Sequence, residues 1–468
     1  MFIRKPRFAK GGFAGEIPKR VSLKIFVLST GIYLFILSPS RKFLFNTYVI
    51  WFWLVIGTYH KKYMRKFILV ILVVLTACTT DAETLIETII VVDEPTTDGT
   101  ESVGTGGIYY IDNSVTWTND RIWVMNGKVV VREGGVLNIE EGTIIKAQNG
   151  QGVEATALVI AAGATINAIG TLNNPIIFTD IEDSIDYGDG IISPNRKPTD
   201  TGKWGGIIVL GNAIVGEDGG SDDIEGIAEG YAWTSYGGND DEDTSGILSF
   251  ISIRHSGTQL AGGDEIQGLT LGGIGSGTTL NNIEVVGSND DGIEIFGGAA
   301  VLTNILILNQ RDDAIDLDEG YRGSITNAVI VLRSNSDNPF EIDGTEDSTG
   351  VIGGSFTIND VTVYAHNNPE SGKNFLGDWK SSARGLTNNV LYKNVDGLVF
   401  KGIDISTYNS KGLMFSNINI VTQLPLVDFF IRIDISDYSD WSQTVESSKQ
   451  QDGADETVFD WTLWSNLK

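Results

Sequence analysis

Asn282-Ile283-Glu284-Val285 is followed 22 residues later by Asn304-Ile305-Leu306-Ile307 and 23 residues after that by Asn327-Ala328-Val329-Ile330. The same signature returns at Asp360-Val361-Thr362-Val363, Asn389-Val390-Leu391-Tyr392 and Asn417-Ile418-Asn419-Ile420, at steps of 33, 29 and 28 residues. A period of this size, filled with short β-prone runs and glycine turns and showing no helical periodicity, is what a β-solenoid coil requires. Each coil supplies short strands that pair with the next coil about 4.8 Å away, so equivalent residues form rows. Longer steps are then coils carrying loop insertions. The recurring Asn is expected to form a ladder at a turn, because asparagine tolerates left-handed backbone and its amides bond one another. That role is structural, and no chemistry is assigned to it.

Upstream, Val129-Val130-Val131, Gly134-Gly135, Leu137-Asn138-Ile139 and Gly142-Thr143 are echoed by Leu158-Val159-Ile160, Gly163, Thr165 to Asn167 and Gly170-Thr171, a repeat of about 28 residues. The expected fold is therefore all-β, a single parallel β-helix over residues 108–422 with loop insertions near 181–203 and 217–245. Residues 423–468 lose the repeat and hold Trp441, Phe459, Trp461 and Trp464. They read as a C-terminal cap, since an open solenoid end invites edge-to-edge association.

Four strings carry a resemblance. They are Gly202 to Ala213 (GKWGGIIVLGNA), Gly268 to Thr278 (GLTLGGIGSGT), Asp290 to Gly298 (DDGIEIFGG) and Gly320-Tyr321-Arg322-Gly323. In this order they resemble a family of exported bacterial proteins, often lipoproteins, with a right-handed parallel β-helix of the pectin-lyase-like type. The likeness spans roughly residues 128–420. It implies the fold and an exported location, but no particular activity.

Cys78, the one cysteine of the chain, closes Leu75-Thr76-Ala77-Cys78. Met64-Arg65-Lys66 and the apolar run Phe67 to Leu75 precede it in the order of a secretion signal. Residues 64–77 thus read as a lipoprotein signal peptide and Cys78 as the lipidated residue, anchoring the protein to a membrane. Thr79 is compatible with passage to the outer membrane, on its periplasmic face or the cell surface. Residues 1–63 read as an early gene start or as N-terminal membrane segments; Ile25 to Leu37 and Phe43 to Ile56 are short of the roughly 20 apolar residues a helix needs to span a membrane. Residues 78–107 are rich in Thr, Asp, Glu and Gly and read as a flexible tether.

Residues 1–77 hold 13 of the 33 basic side chains but one of the 60 acidic ones, so the remainder carries 20 against 59, net −39. Such a surface repels phosphate backbones, which argues against nucleic acid as a partner, and attracts divalent cations. With one cysteine the exported part forms no internal disulfide.

Asp290-Asp291-Gly292-Ile293-Glu294-Ile295 aligns with Asp312-Asp313-Ala314-Ile315-Asp316-Leu317 and with Asp337-Asn338-Pro339-Phe340-Glu341-Ile342. Strand alternation places the apolar residues on one face and Glu294, Asp316 and Glu341 on the other, outward and about 5 Å apart from coil to coil. Like charges that close raise one another's pKa or recruit a cation. Asp290, Asp291, Asp312, Asp313 and Asp318 are candidate ligands for calcium, which takes six to eight oxygens. Arg322 is expected to pair with this stack. A second acidic run, Asp218 to Asp243, carries Tyr231, Trp233 and Tyr236; Trp233 and Tyr236 are candidate sugar-stacking residues there. A solvated acidic face and a solvated insertion are the plain alternatives.

The doubled aspartates also resemble part of the pattern of polygalacturonase-type hydrolases, in which Asp291, Asp312 and Asp313 would be the catalytic carboxylates. The His-Gly that this pattern expects one coil later is not found around Ser334 to Asn338, and neither His255 nor His366 stands in that register. A lyase would use an arginine base beside calcium; Arg311, Arg322 and Arg333 are near in sequence, and no motif selects one. Gly272 to Thr278 lacks the Gly-Lys-Ser/Thr of a phosphate loop. Three functions follow as expectations: a lipid-anchored surface protein binding an extended ligand such as polysaccharide, with calcium; a polysaccharide hydrolase or lyase; or an adhesin or structural envelope protein with a protein partner.

Overall fold

In the computed structural model the described residues are 22–28, 31–37 and 99–468, except 228–229, 260–264, 349–353, 367–374, 401–402, 404–411, 431–437 and 448–451. The signal peptide expected at 64–77, the lipidation site Cys78, and residues 78–98 of the expected tether lie outside them, as does most of 1–63. Within 1–63, Ser22–Leu28 and Gly31–Leu37 pair antiparallel, with Ser22 opposite Leu37. No helix among the described residues is long and apolar enough to cross a membrane.

Everything else belongs to the unit Ile89–Lys468. It is built on two long sheets in which every strand pairs in parallel with its equivalent in the next coil. The nine-stranded sheet runs through Ile108–Ile111, Lys128–Val131, Ala157–Ile160, Gly206–Leu210, Leu269–Gly272, Ile293–Phe296, Ile315–Asp318, Phe340–Ile342 and Asp378–Trp379. The fifteen-stranded sheet forms the other walls and begins at Thr100–Val103, which pairs with Ile122–Met125. The first coil therefore starts inside the stretch expected to be tether. The upstream repeat is confirmed, with Val129 opposite Leu158 and Leu137 opposite Ile166, a step of 29 residues.

Long strands of the fifteen-stranded sheet turn a corner at the recurring Asn. In Thr279–Val286 and Val301–Leu308, Asn281 pairs with Thr303 and Ile283 with Ile305, while the residues between them, Asn282 and Asn304, have φ of 53° and 59°. The left-handed residue bends the strand without breaking it. Its side chain bridges coils: Asn304 Nδ2 donates to Asn282 Oδ1 (3.1 Å), Asn327 to Asn304 (2.7 Å), Asn389 to Asp360 (2.6 Å) and Asn417 to Asn389 (2.9 Å). Asp360, an acceptor without a donor, has no hydrogen to offer Asn327. The backbone N–H of Asp455 donates to Asn327 Oδ1 instead (2.7 Å).

Inward positions are occupied by Val, Ile and Leu, which stack in rows through one continuous core. β-Branched side chains suit this pleated surface. At the C-terminal end the core turns aromatic: Phe400 stacks on Phe430 (4.7 Å), Phe430 on Tyr438 (4.0 Å) and Phe415 on Trp441 (4.7 Å). Phe459, Trp461 and Trp464 do not cover that end. Residues Asp452 to Lys468 run back along the flank, where Phe459, Leu463 and Trp464 pack on Val286, Leu306, Leu308, Val329 and Val331. Trp464 N–H reaches the buried carboxylate of Glu284 (3.2 Å).

Candidate functional site: an acidic column beside a roofed sheet

The outer face of the nine-stranded sheet changes character along its length. The outward row reads Tyr110, Val130, Val159, Ile208, Thr270, Glu294, Asp316, Glu341 and Asp378, each opposite the next. Its apolar half is roofed by the long excursion between Leu210 and Gly246: Val215, Ile224, Trp233 and Tyr236 pack on Val130, Val159 and Ile208. The acidic half begins with Glu294, on whose strand Phe296 still packs under Tyr236 of the excursion. Residues 290–342 thus take the registers expected from alignment, and Ile293, Ile295, Ile315, Leu317, Phe340 and Ile342 all lie in the core.

The carboxylates are far less solvated than an outward position implies. Glu294 is only 7% exposed, and Asp291 is likewise buried. Glu294 Oε2 and Asp316 Oδ1 are buried without a hydrogen-bond partner. Carboxylate oxygens of Asp291, Glu294 and Asp316 lie within 4.8 Å of one another, as do those of Asp290, Asp291 and Asp312, and those of Asp312, Asp313 and Asp337. Burial first, and then the neighbouring negative charges, push Asp291, Glu294 and Asp316 well above the usual carboxylate range. Burial and a hydrogen bond to Glu341 do the same for Asp313. At the far end Lys380 forms an ion pair with Glu341 and reaches Asp343 (3.6 Å) and Asp378 (4.0 Å).

Asp291 and Asp313 also bind successive coils together. Asp291 Oδ1 accepts the N–H of Asp313 (2.7 Å), and Asp313 Oδ1 accepts both the N–H (2.6 Å) and the side-chain amide (2.8 Å) of Asn338. One oxygen of each is therefore committed to holding the corner. The remaining oxygens, with Glu294 and Asp316, make a hard, oxygen-only donor set of the kind that suits calcium.

Several expected members stand elsewhere. Asp318 is two residues beyond Asp316 on the same strand, roughly 7 Å along it. It answers to Asp343, Glu346 and Glu217 rather than to the doubled aspartates. Arg322 does not pair with the column: it forms an ion pair with Asp241 and donates to the carbonyl of Ile214 (2.7 Å), because its turn lies under the excursion. Tyr236 is 2% exposed, its hydroxyl donating to Glu319 and its ring packed on Phe296, so it offers no stacking face. Trp233 is 7% exposed, stacks on the more exposed Tyr231 (5.1 Å), and lines a cleft of about 380 Å³ with Asn126, Lys128 and Glu154. His255 is buried, with Nδ1 bonded to the carbonyl of Asp200 (2.8 Å).

Sequence reading missed Thr270 and Asp378 as members of the row, and Lys380 two residues beyond Asp378. Thr270 shows the same alternation one coil earlier and could have been found. Asp378 and Lys380 follow a long insertion that hides the period.

The family model described as the pectate-lyase-like β-helix domain matches residues 109–465. No curated protein and no solved structure matches the chain. The family description points to a polysaccharide-related role at the level of the family. With parallel coils in unbroken register and a family match across most of its length, the chain belongs to the pectate-lyase-like β-helix family.

Proposed function

We propose that this protein binds an extended polysaccharide along the acidic half of the nine-stranded sheet, with a divalent cation, calcium, held by Asp291, Glu294 and Asp316. The observation that carries the reading is Glu294, a buried carboxylate with an unpartnered oxygen beside the unpartnered oxygen of Asp316. Burying such charges without a counter-ion costs several kcal/mol, so the groups either hold protons or hold a cation. A cation seated there supplies positive charge on a surface that otherwise repels acidic sugars, while Asp316 and Glu341, one coil apart, and Lys380 beside Glu341 supply hydrogen-bond partners for hydroxyls. The cleft beneath Tyr231 and Trp233 provides an aromatic edge on the same sheet. As part of the same reading, lipid on Cys78 holds the β-helix at the outer membrane, and the acidic surface argues against nucleic acid as a ligand. Cys78→Ser would then move the protein from the membrane to the soluble fraction.

A glycan array in the presence of calcium and of EDTA tests the binding claim. Calcium-dependent hits that disappear in Glu294→Gln support it, and the absence of any hit overturns it. The hydrolase or lyase alternative would use Asp291, Asp312 and Asp313 as acid and base. It calls for reducing-sugar or unsaturated-product release that Asp312→Asn abolishes. The adhesin alternative predicts an unchanged fold and a protein partner instead of glycan.

A further inference from the structure

Away from the acidic column, the excursion that roofs the sheet is fastened to the solenoid beside a second group of carboxylates. Gly216 N–H donates to the carbonyl of Glu319 (2.7 Å), and Gly216 O accepts from Glu346 N–H (2.8 Å) and Thr345 Oγ1 (3.1 Å). Ser348 N–H donates to Asp218 Oδ1 (2.9 Å). These bonds bring Glu217 and Asp222 of the excursion against Glu319, which follows Ile315–Asp318. Carboxylate oxygens of all three lie within 4.8 Å of one another.

Glu319 makes this more than an acidic patch. Its side chain is 4% exposed; one oxygen accepts the Tyr236 hydroxyl, and the other, Oε2, is buried with no hydrogen-bond partner. Burial pushes its carboxyl up to about 8, and burial together with Glu346 raises Glu217. Groups so placed repel one another across the joint between excursion and solenoid. A cation there would turn that repulsion into a fastening, with all ligands oxygen and one side open to water through the exposed Asp222.

We propose that Glu217, Asp222 and Glu319 form a second divalent-cation site, of calcium type, that locks the excursion onto the solenoid. It does not depend on the polysaccharide reading. Calcium completes its shell of six to eight oxygens there with water. The role is structural: the cation holds Trp233 and Tyr236 against the sheet rather than contacting a ligand.

Terbium luminescence on the full chain, excited through its aromatic residues, tests this, since Tyr236 touches one of the proposed ligands. We expect calcium-competed luminescence in the wild type and in the Glu294→Gln/Asp316→Asn column variant. Made in that column variant, which lacks the other site, Glu319→Gln and Asp222→Asn should each weaken terbium binding by about tenfold or more, as loss of one charged ligand does. Calcium should also slow proteolysis between residues 217 and 245 in the wild type but not in Glu319→Gln. Glu319→Gln removes a repelling charge and keeps the Tyr236 acceptor, so it is expected to fold; circular dichroism checks this, and Asp222→Asn on the exposed side provides a second folded variant. Signal that survives both substitutions, or that vanishes only in the column variant, overturns the proposal. Failure of the wild type to bind any glycan, or glycan binding that persists in the column variant, while this signal remains would refute the polysaccharide reading and leave this one standing.

Discussion

Replacing Glu294 by Gln should make the cation-free protein more stable, and the gain should depend on pH. Carboxylate oxygens of Glu294, Asp291 and Asp316 lie within 4.8 Å of each other. At an effective dielectric of about 20, two ionised groups at that separation repel by about 3 kcal/mol. Burial first, and this repulsion second, favour the protonated form in the folded protein, which is why the Glu294 carboxyl sits above its ordinary range. A carboxyl raised on folding binds its proton more tightly in the native state, so its contribution falls as pH rises from about 4, the unfolded value, toward the folded one. Gln carries no such penalty. Glu294→Gln is therefore expected to gain about 1–3 kcal/mol at pH 8 in EDTA and close to nothing at pH 4. For a domain of this size that is a rise of a few degrees in Tm. Calcium should reverse the order. At free calcium a hundredfold above Kd, wild type gains about 2.7 kcal/mol from one site, and the variant loses that gain. The comparison belongs in a Glu319→Gln background, which silences the second site. Thermal melts across pH, with and without calcium, read all of this. A Glu294→Gln protein that is less stable in EDTA at pH 8, or that keeps the full calcium increment, would refute the reasoning.

Asn304→Ala should cost about 3 kcal/mol, because it removes two ladder hydrogen bonds and places Ala at φ 59°; Asn304→Gly, which keeps the backbone freedom, should cost measurably less in urea melts. Phe459→Ala should cost about 3–5 kcal/mol and increase binding of an apolar dye, since Phe459 covers Leu306, Val329 and neighbouring side chains on the flank. Asp318 and Glu319 are raised to about 6 and about 8, so without cation their contribution is fully present below pH 4 and is lost as pH climbs to about 8. In Asp318→Asn the first part of that loss, up to about pH 6, should disappear from the pH–Tm profile.

Much of the solenoid was legible because its physics is periodic. The step from Asn282 to Asn304 and the alternation around Glu294, Asp316 and Glu341 each express one coil, and the register follows from them. The Asn ladder was legible for the same reason, since a left-handed corner favours the same residue in every coil. Burial of the column was not. What shelters the sheet beside Glu294 is the aperiodic excursion before Gly246, and nothing in its sequence says which face it covers. Arg322 and Tyr236 were misplaced on that account: each binds an acidic residue, Asp241 and Glu319, that the excursion brings into reach or that faces it. Lys380 escaped notice because Asp378, two residues before it, pairs with Glu341 across a long insertion. Phe459 and Trp464 have the composition of an end cap, yet the hydrogen bonds that fix their course go to Asn327, Asn389 and Thr362 on the flank.

The most direct test of the polysaccharide reading is a crystal structure of the protein soaked with calcium and an array-selected oligosaccharide. The account predicts an ion about 2.3–2.6 Å from oxygens of Asp291, Glu294 and Asp316, with sugar rings following Asp316 and Glu341 from coil to coil. Carboxyls sharing protons around an empty column, with sugar absent or bound on another face, would contradict it.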